Sequence, residues 1–120
     1  MLKVEILEAS NTVLLRPTDK LTQADFEAAA RIIDPYIENN GKLNGIIINV
    51  KTFPLWDSFS AFISHLKFVG DHHKKISHVA IVTDSAIGLI GEHIASHFVA
   101  AEIKHFSFDE LDKAITWASH

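Results

Sequence analysis

Apolar and polar positions alternate along Leu2-Lys3-Val4-Glu5-Ile6-Leu7-Glu8, and a second β-prone run, Thr12-Val13-Leu14-Leu15-Arg16-Pro17, follows the turn formers Ser10-Asn11. Together they predict an opening β-hairpin. Thr22-Gln23-Ala24-Asp25 has the spacing of a capping box, with Asp in the Glu position, ahead of Phe26, Ala29, Ile32 and Ile33 at helical spacing. A helix over 22–39 is expected, kinked or ended by Pro35, whose ring removes one backbone donor, and stopped by Asn39-Asn40-Gly41. The near-continuous β-branched run Gly45-Ile46-Ile47-Ile48-Asn49-Val50 is the signature of a strand covered on both faces. His78-Val79-Ala80-Ile81-Val82-Thr83 repeats it, and Glu102-Ile103-Lys104-His105-Phe106 is a shorter, more polar version suited to a sheet edge. Helical segments are expected over 58–72, 85–99 and 108–118. The last begins with the capping box Ser107-Phe108-Asp109-Glu110 and buries Leu111, Ala114, Ile115 and Ala118 by its spacing. The order ββαβαβαβα predicts an α/β fold: a mixed, mostly parallel sheet of five strands with four helices, its first strand the antiparallel exception.

Length and composition narrow this further. A chain of 120 residues fits one domain over 1–120, and 48% apolar with 22% charged residues excludes a disordered or low-complexity chain. The absence of cysteine excludes disulfides, thiolate metal sites, thiol catalysis and iron–sulfur clusters. A net charge of −4 argues against nucleic acid as a partner, since phosphate binding depends on Lys and Arg. No apolar run approaches the roughly 20 residues that span a bilayer, and Met1-Leu2-Lys3-Val4-Glu5 lacks a signal-peptide pattern, so a cytoplasmic address is expected.

Catalytic motifs are missing. There is no Gly-x-Ser-x-Gly elbow, no Gly-x-Gly-x-x-Gly and no Walker A pattern. His93 and His97 stand at i, i+4, but Glu92 precedes the first histidine where the zincin pattern needs an acid directly after it. A third ligand would have to come from His72, His73 or a carboxylate, and solvated surface histidines are the reading preferred here; no metal or other cofactor is expected. His72-His73-Lys74-Lys75 reads as a helix C-terminus, where cations meet the negative end of the dipole. Gly88, Gly91 and Ala95 form a small helical face open to close packing or to a ligand.

The densest anomaly is Phe53-Pro54-Leu55-Trp56-Asp57-Ser58-Phe59-Ser60-Ala61-Phe62, followed by Ile63, Leu66, Phe68 and Val69. Phe59, Phe62, Ile63, Leu66 and Val69 make one apolar helical stripe, whereas Phe53, Leu55, Trp56 and Phe68 fall outside it. A loop at the carboxyl end of a central strand is where open α/β sheets usually bind ligands. Each large side chain left in water forgoes about 1.5–3 kcal/mol of burial, so several together point to a pocket, a membrane contact or a partner surface.

Several short stretches also carry a family likeness: Gly41-Lys42-Leu43, the strand from Ile46 to Val50, Trp56, Leu66-Lys67-Phe68, Val79-Ala80-Ile81-Val82-Thr83-Asp84 and His105-Phe106. With the ending Asp109-Glu110-Leu111-Asp112-Lys113-Ala114-Ile115-Thr116-Trp117, this succession resembles the SpoIIAA-like family from about Leu14 to Trp117. The resemblance implies the STAS-type α/β fold, similar in shape to the CRAL-TRIO lipid-binding domains, and suggests a small apolar ligand and membrane association rather than a reaction. STAS antagonists of anti-sigma factors switch by phosphorylation within Asp-Ser-Ser-Gly. Asp57-Ser58-Phe59-Ser60 stands at that place, with Phe59 at the phosphoacceptor position and Ser60 at the glycine. Ser58 is the remaining candidate phosphosite, and helix capping by Asp57 or Ser58 is its plainer role.

The leading expectation is a non-enzymatic module that holds an apolar or lipid-like small molecule. Its site would be lined by Trp56, Phe59, Phe62, Ile63, Leu66, Ile87, Ile90, Gly91 and Ile94. Phe53, Leu55, Trp56 and Phe68 would contact a membrane or a partner, with peripheral attachment at the inner membrane face. The alternative is a STAS-type regulatory module that docks a protein partner or forms a homodimer, sensitive to phosphorylation.

Overall fold

The computed structural model describes residues 2–18, 22–51, 76–84 and 102–119, the side chains of Gln23 and Phe26 excepted. Strands β1 (Leu2–Leu7), β2 (Thr12–Pro17), β3 (Leu43–Asn49), β4 (Ile76–Val82) and β5 (Glu102–Phe106) form one sheet in sequential order. β1 is antiparallel to β2, while β2–β3, β3–β4 and β4–β5 pair in parallel. Helix α1 (Gln23–Asn40) joins β2 to β3, and a 3₁₀ turn (Phe108–Glu110) leads into helix α2 (Leu111–Ala118). The helices expected over 58–72 and 85–99 lie outside the described residues.

β3 is the middle strand, and Ile46, Ile47 and Ile48 are all fully buried, as a β-branched run sandwiched between two layers must be. Alternation sends them to different cores. Ile46 and Ile48 join Val13, Leu15, Val79 and Ile81 beside Ala29, Ile33 and Ile37 of α1, with Leu2, Val4 and Ile6 half-buried against that cluster. Ile47 joins Leu14, Ala80, Val82 and Phe106 beside Ala114 and Ala118 of α2, with Leu7, Leu111, Ile115 and Trp117 at its margin.

α2 lies close because β3 is thin where they meet. A Cβ on Gly45 would stand 2.7 Å from the Ala118 Cβ and 2.9 Å from the Ala118 carbonyl oxygen. Pro35 does not end α1, which continues to Asn40. Both Pro35 and Arg31 are exposed, so the carbonyl that loses its helical donor can be solvated, and the steric cost is met without breaking the helix. The stop comes from Gly41 at φ 78°, whose N–H donates to the Ile37 carbonyl at 2.8 Å.

Both helical starts are capped by carboxylates. Asp25 accepts from the Thr22 backbone N–H at 2.9 Å and from its hydroxyl at 3.0 Å, and these bonds hold its carboxyl below the usual aspartate range. Glu110 accepts from the Ser107 backbone N–H at 2.9 Å and from Lys113 at 3.3 Å, and is likewise held below its usual range.

Candidate functional site

The two ends of the sheet are built differently. At the amino ends of the parallel strands, polar side chains interlock. Asn11, at φ 52° in the β1–β2 turn, accepts from the Tyr36 hydroxyl at 2.7 Å and donates to the Lys42 carbonyl at 3.2 Å. Asn44 Nδ2 donates to the carbonyls of Ser10 (3.1 Å) and Ser119 (3.0 Å), tying the hairpin turn to the end of α2. His78 Nδ1 donates to the Asn44 carbonyl at 3.1 Å while its ring meets Trp117 edge-on at 4.8 Å. These groups satisfy one another and brace the fold.

At the carboxyl ends, the strand exits are stitched through their backbones. The Val50 N–H donates to the Val82 carbonyl (3.1 Å), the Asp84 N–H to the Lys51 carbonyl (3.0 Å), and the Thr83 N–H to the Phe106 carbonyl (3.0 Å). Thr83 is fully buried; its hydroxyl donates to the Lys51 carbonyl at 3.1 Å, and its own carbonyl accepts from His105 Nε2 at 2.8 Å. Asp84 reaches across to accept from the Phe108 N–H at 3.1 Å, anchoring the turn before α2. Lys51 and Asp84, the last described residues after β3 and β4, are therefore held side by side, Lys51 bonded to Thr83 and Asp84.

One polar atom at this end has no donor among the described residues. Asn49, the last residue of β3, buries its Oδ1, and by register and alternation it shares a face with Val82 and Phe106. Lys51 and Asp84, both exposed, bring one charge of each sign to this end. Sequence reasoning treated Asn49 only as part of a strand; a polar side chain ending an otherwise apolar run was the available signal.

A second feature that sequence reasoning missed is an open cleft of about 570 Å³ along α1, with Glu27, Ala30, Arg31, Asp34 and Pro35 in its lining. It was hidden because these residues read as the polar side of an amphipathic helix.

The expected ligand-lining residues Trp56, Phe59, Phe62, Ile63, Leu66, Ile87, Ile90, Gly91 and Ile94 lie outside the described residues. So do the contact residues Phe53, Leu55 and Phe68, the candidate phosphosite Ser58, and His72, His73, His93 and His97. Among the described residues, no group of three or more His, Cys, Asp or Glu is placed to hold a metal ion, and no helix is long and apolar enough to cross a membrane.

No curated protein and no solved structure matches the chain. The family model described as SpoIIAA-like matches residues 12–119, from the second strand to the end of α2. The chain belongs to the SpoIIAA-like family.

Proposed function

We propose that this domain is a non-enzymatic binding module for an apolar or lipid-like small molecule, held at the carboxyl end of the sheet by the segments that follow β3 and β4. The observation that carries this reading is the pairing of their exits. The two most apolar stretches outside the sheet begin at Lys51 and Asp84, whose backbones are bonded to one another, so both stretches start from one place. That place is the carboxyl edge of parallel strands, the usual ligand end of an open α/β sheet. In this reading Trp56, Phe59, Phe62, Ile87, Ile90 and Ile94 line the cleft, and Gly91 lets the ligand approach a helix backbone. Asn49 supplies a polar fixing point: its buried oxygen accepts from a hydroxyl or an acid proton on the ligand.

Titration with a long-chain alcohol or fatty acid, followed by tryptophan fluorescence, tests it. Saturable binding weakened by Phe62→Asp supports the pocket; a folded chain that binds neither probe refutes it. Membrane contact through Phe53, Leu55 and Trp56 would be peripheral and apolar, because a net charge of −4 gives no attraction to anionic lipid. Co-sedimentation with neutral liposomes, lost in the Phe53→Ser, Trp56→Ser double variant, is the outcome expected; sedimentation indifferent to both changes excludes that contact.

The family match favours a second reading, a STAS-type module that docks a protein, for which we propose phosphorylation at Ser58 as the switch. Asp57-Ser58 stands where such a switch would sit, although Phe59 and Ser60 replace the rest of the motif. A partner recovered by pull-down and released by Ser58→Asp supports this reading, and a complex unchanged by that substitution removes the switch.

A further inference from the structure

β1 is an edge strand, and the way its side chains are arranged defines a partner for it. Its inner side pairs with β2 along its full length, from Leu2 opposite Pro17 to Leu7 opposite Thr12. On its outer side, the backbone groups that alternate away from β2 have no strand beside them among the described residues, the ordinary condition of a sheet edge. Leu2, Val4 and Ile6 share the α1 face and are only half-buried there, while Lys3 and Glu5 project from the other face and are exposed.

This pattern is complementary to itself. When two copies of β1 run antiparallel about a two-fold axis at Val4, Lys3 of each copy stands opposite Glu5 of the other. Leu2 then faces Ile6 across the junction, and Val4 faces Val4. Moving the register by two residues either way places Lys3 against Lys3 or Glu5 against Glu5. Moving it by one places Val4 against a charged residue and breaks the match between faces. Only the register centred on Val4 joins opposite charges and like faces together.

Two further observations fall at the same edge. Lys3 already faces a cation on its inner side, since Arg16 is its partner in β2. A glutamate arriving on the outer side would offset that like-charge pair. Ile32 is the one exposed large apolar residue among those described, 46% accessible. It precedes Tyr36 by one helical turn, and Tyr36 bonds to Asn11 in the β1–β2 turn, so Ile32 lies on the flank of α1 that faces the hairpin. α1 packs on β1, so joining two β1 edges brings the Ile32 flanks of two α1 helices toward one another.

We propose that two copies of this chain associate through β1 into a two-fold symmetric dimer with a continuous ten-stranded sheet, its register set by the reciprocal Lys3–Glu5 pairs. The surface is isologous, as closed two-fold dimers require. It is independent of the ligand site, which is assigned to the carboxyl ends of β3 and β4.

Sedimentation of the full chain tests this directly. The wild-type protein is expected at twice its chain mass of 13.4 kDa. Glu5→Lys and Lys3→Glu each place like charges across the junction and should each sediment at the single-chain mass. Mixing those two variants should restore the dimer as a heterodimer, because the all-lysine edge then meets the all-glutamate edge; the double variant Lys3→Glu, Glu5→Lys should dimerise by itself. Circular dichroism identical to wild type confirms that each variant is folded. A wild-type chain that stays monomeric at all concentrations overturns the proposal, as does a dimer that neither single charge reversal weakens.

Discussion

Close packing at Gly45 is the sharpest constraint set by a single residue. With Ala118 atoms 2.7 and 2.9 Å from the position of an added Cβ, Gly45→Ala must push α2 away from β3. The expected loss is about 1–3 kcal/mol of unfolding free energy in urea denaturation, the range for overpacked cores. The amino-end lock gives a smaller effect. Tyr36→Phe removes the 2.7 Å bond to Asn11 and should cost about 0.5–1.5 kcal/mol. A double-mutant cycle with Asn11→Ala should show coupling between the two sites; strictly additive losses would mean that the bond contributes nothing. Asn49→Leu separates structure from function: it should leave stability unchanged or raised, since it removes a buried acceptor with no donor among the described residues, and it should weaken binding of a hydroxylated ligand. The roles of Gly45 and Asn11 were not legible in the chain, because each depends on a partner remote in sequence, and Asn49 showed only as a polar residue ending an apolar run. Gly45 meets Ala118, Asn11 meets Tyr36, and Asn49 is defined by what does not reach it.

Secondary-structure elements were more legible than residues, because hydrophobic period and cap chemistry are local. The isoleucine run of β3, the apolar run of β4 and the polar β5 edge were all readable from pattern, with boundaries moved by a residue or two. The Thr22–Asp25 capping box forms as its spacing implied. The expected helix over 22–39 runs through Pro35 to Asn40; only the alternative that Pro35 ends it fails, because whether the released carbonyl meets solvent is not stated by a single sequence. The start of α2 was read as helix but is a 3₁₀ turn, with Glu110 reaching back to Ser107. That carboxylate makes a pH prediction. Its folded pKa lies below the unfolded value, so its stabilisation is present above the ordinary glutamate range and is lost as pH falls through the folded pKa. Glu110→Gln should therefore lower the thermal midpoint at neutral pH, with the difference from wild type shrinking on acidification; Asp25→Asn should behave alike at α1. A difference that stays constant down to strongly acid pH would contradict both assignments.

Across the whole molecule, the sheet divides the labour between its ends. The amino end is closed by the Tyr36–Asn11 bond and by Asn11, Asn44 and His78 side chains bonded to the backbone carbonyls of Lys42, Ser10, Ser119 and Asn44. The carboxyl end is held by backbone bonds among Val50, Lys51, Val82, Thr83, Asp84 and Phe106, and it is where the two apolar stretches begin in the sequence. The five-stranded mixed sheet and the family were readable from strand order and the ending that closes on Trp117. The expected site residues Trp56, Phe59, Phe62 and Ile90 lie outside the described residues, and apolar side chains by themselves carry no signal that separates a pocket from a core. Whether that end holds a greasy ligand is decided most directly by native mass spectrometry of the chain purified without detergent. The expected result is a folded chain carrying one acyl-chain-sized adduct, removed by solvent extraction and regained when a long-chain fatty acid is added back. A folded chain that shows no adduct as purified, and takes none up on addition, would contradict it.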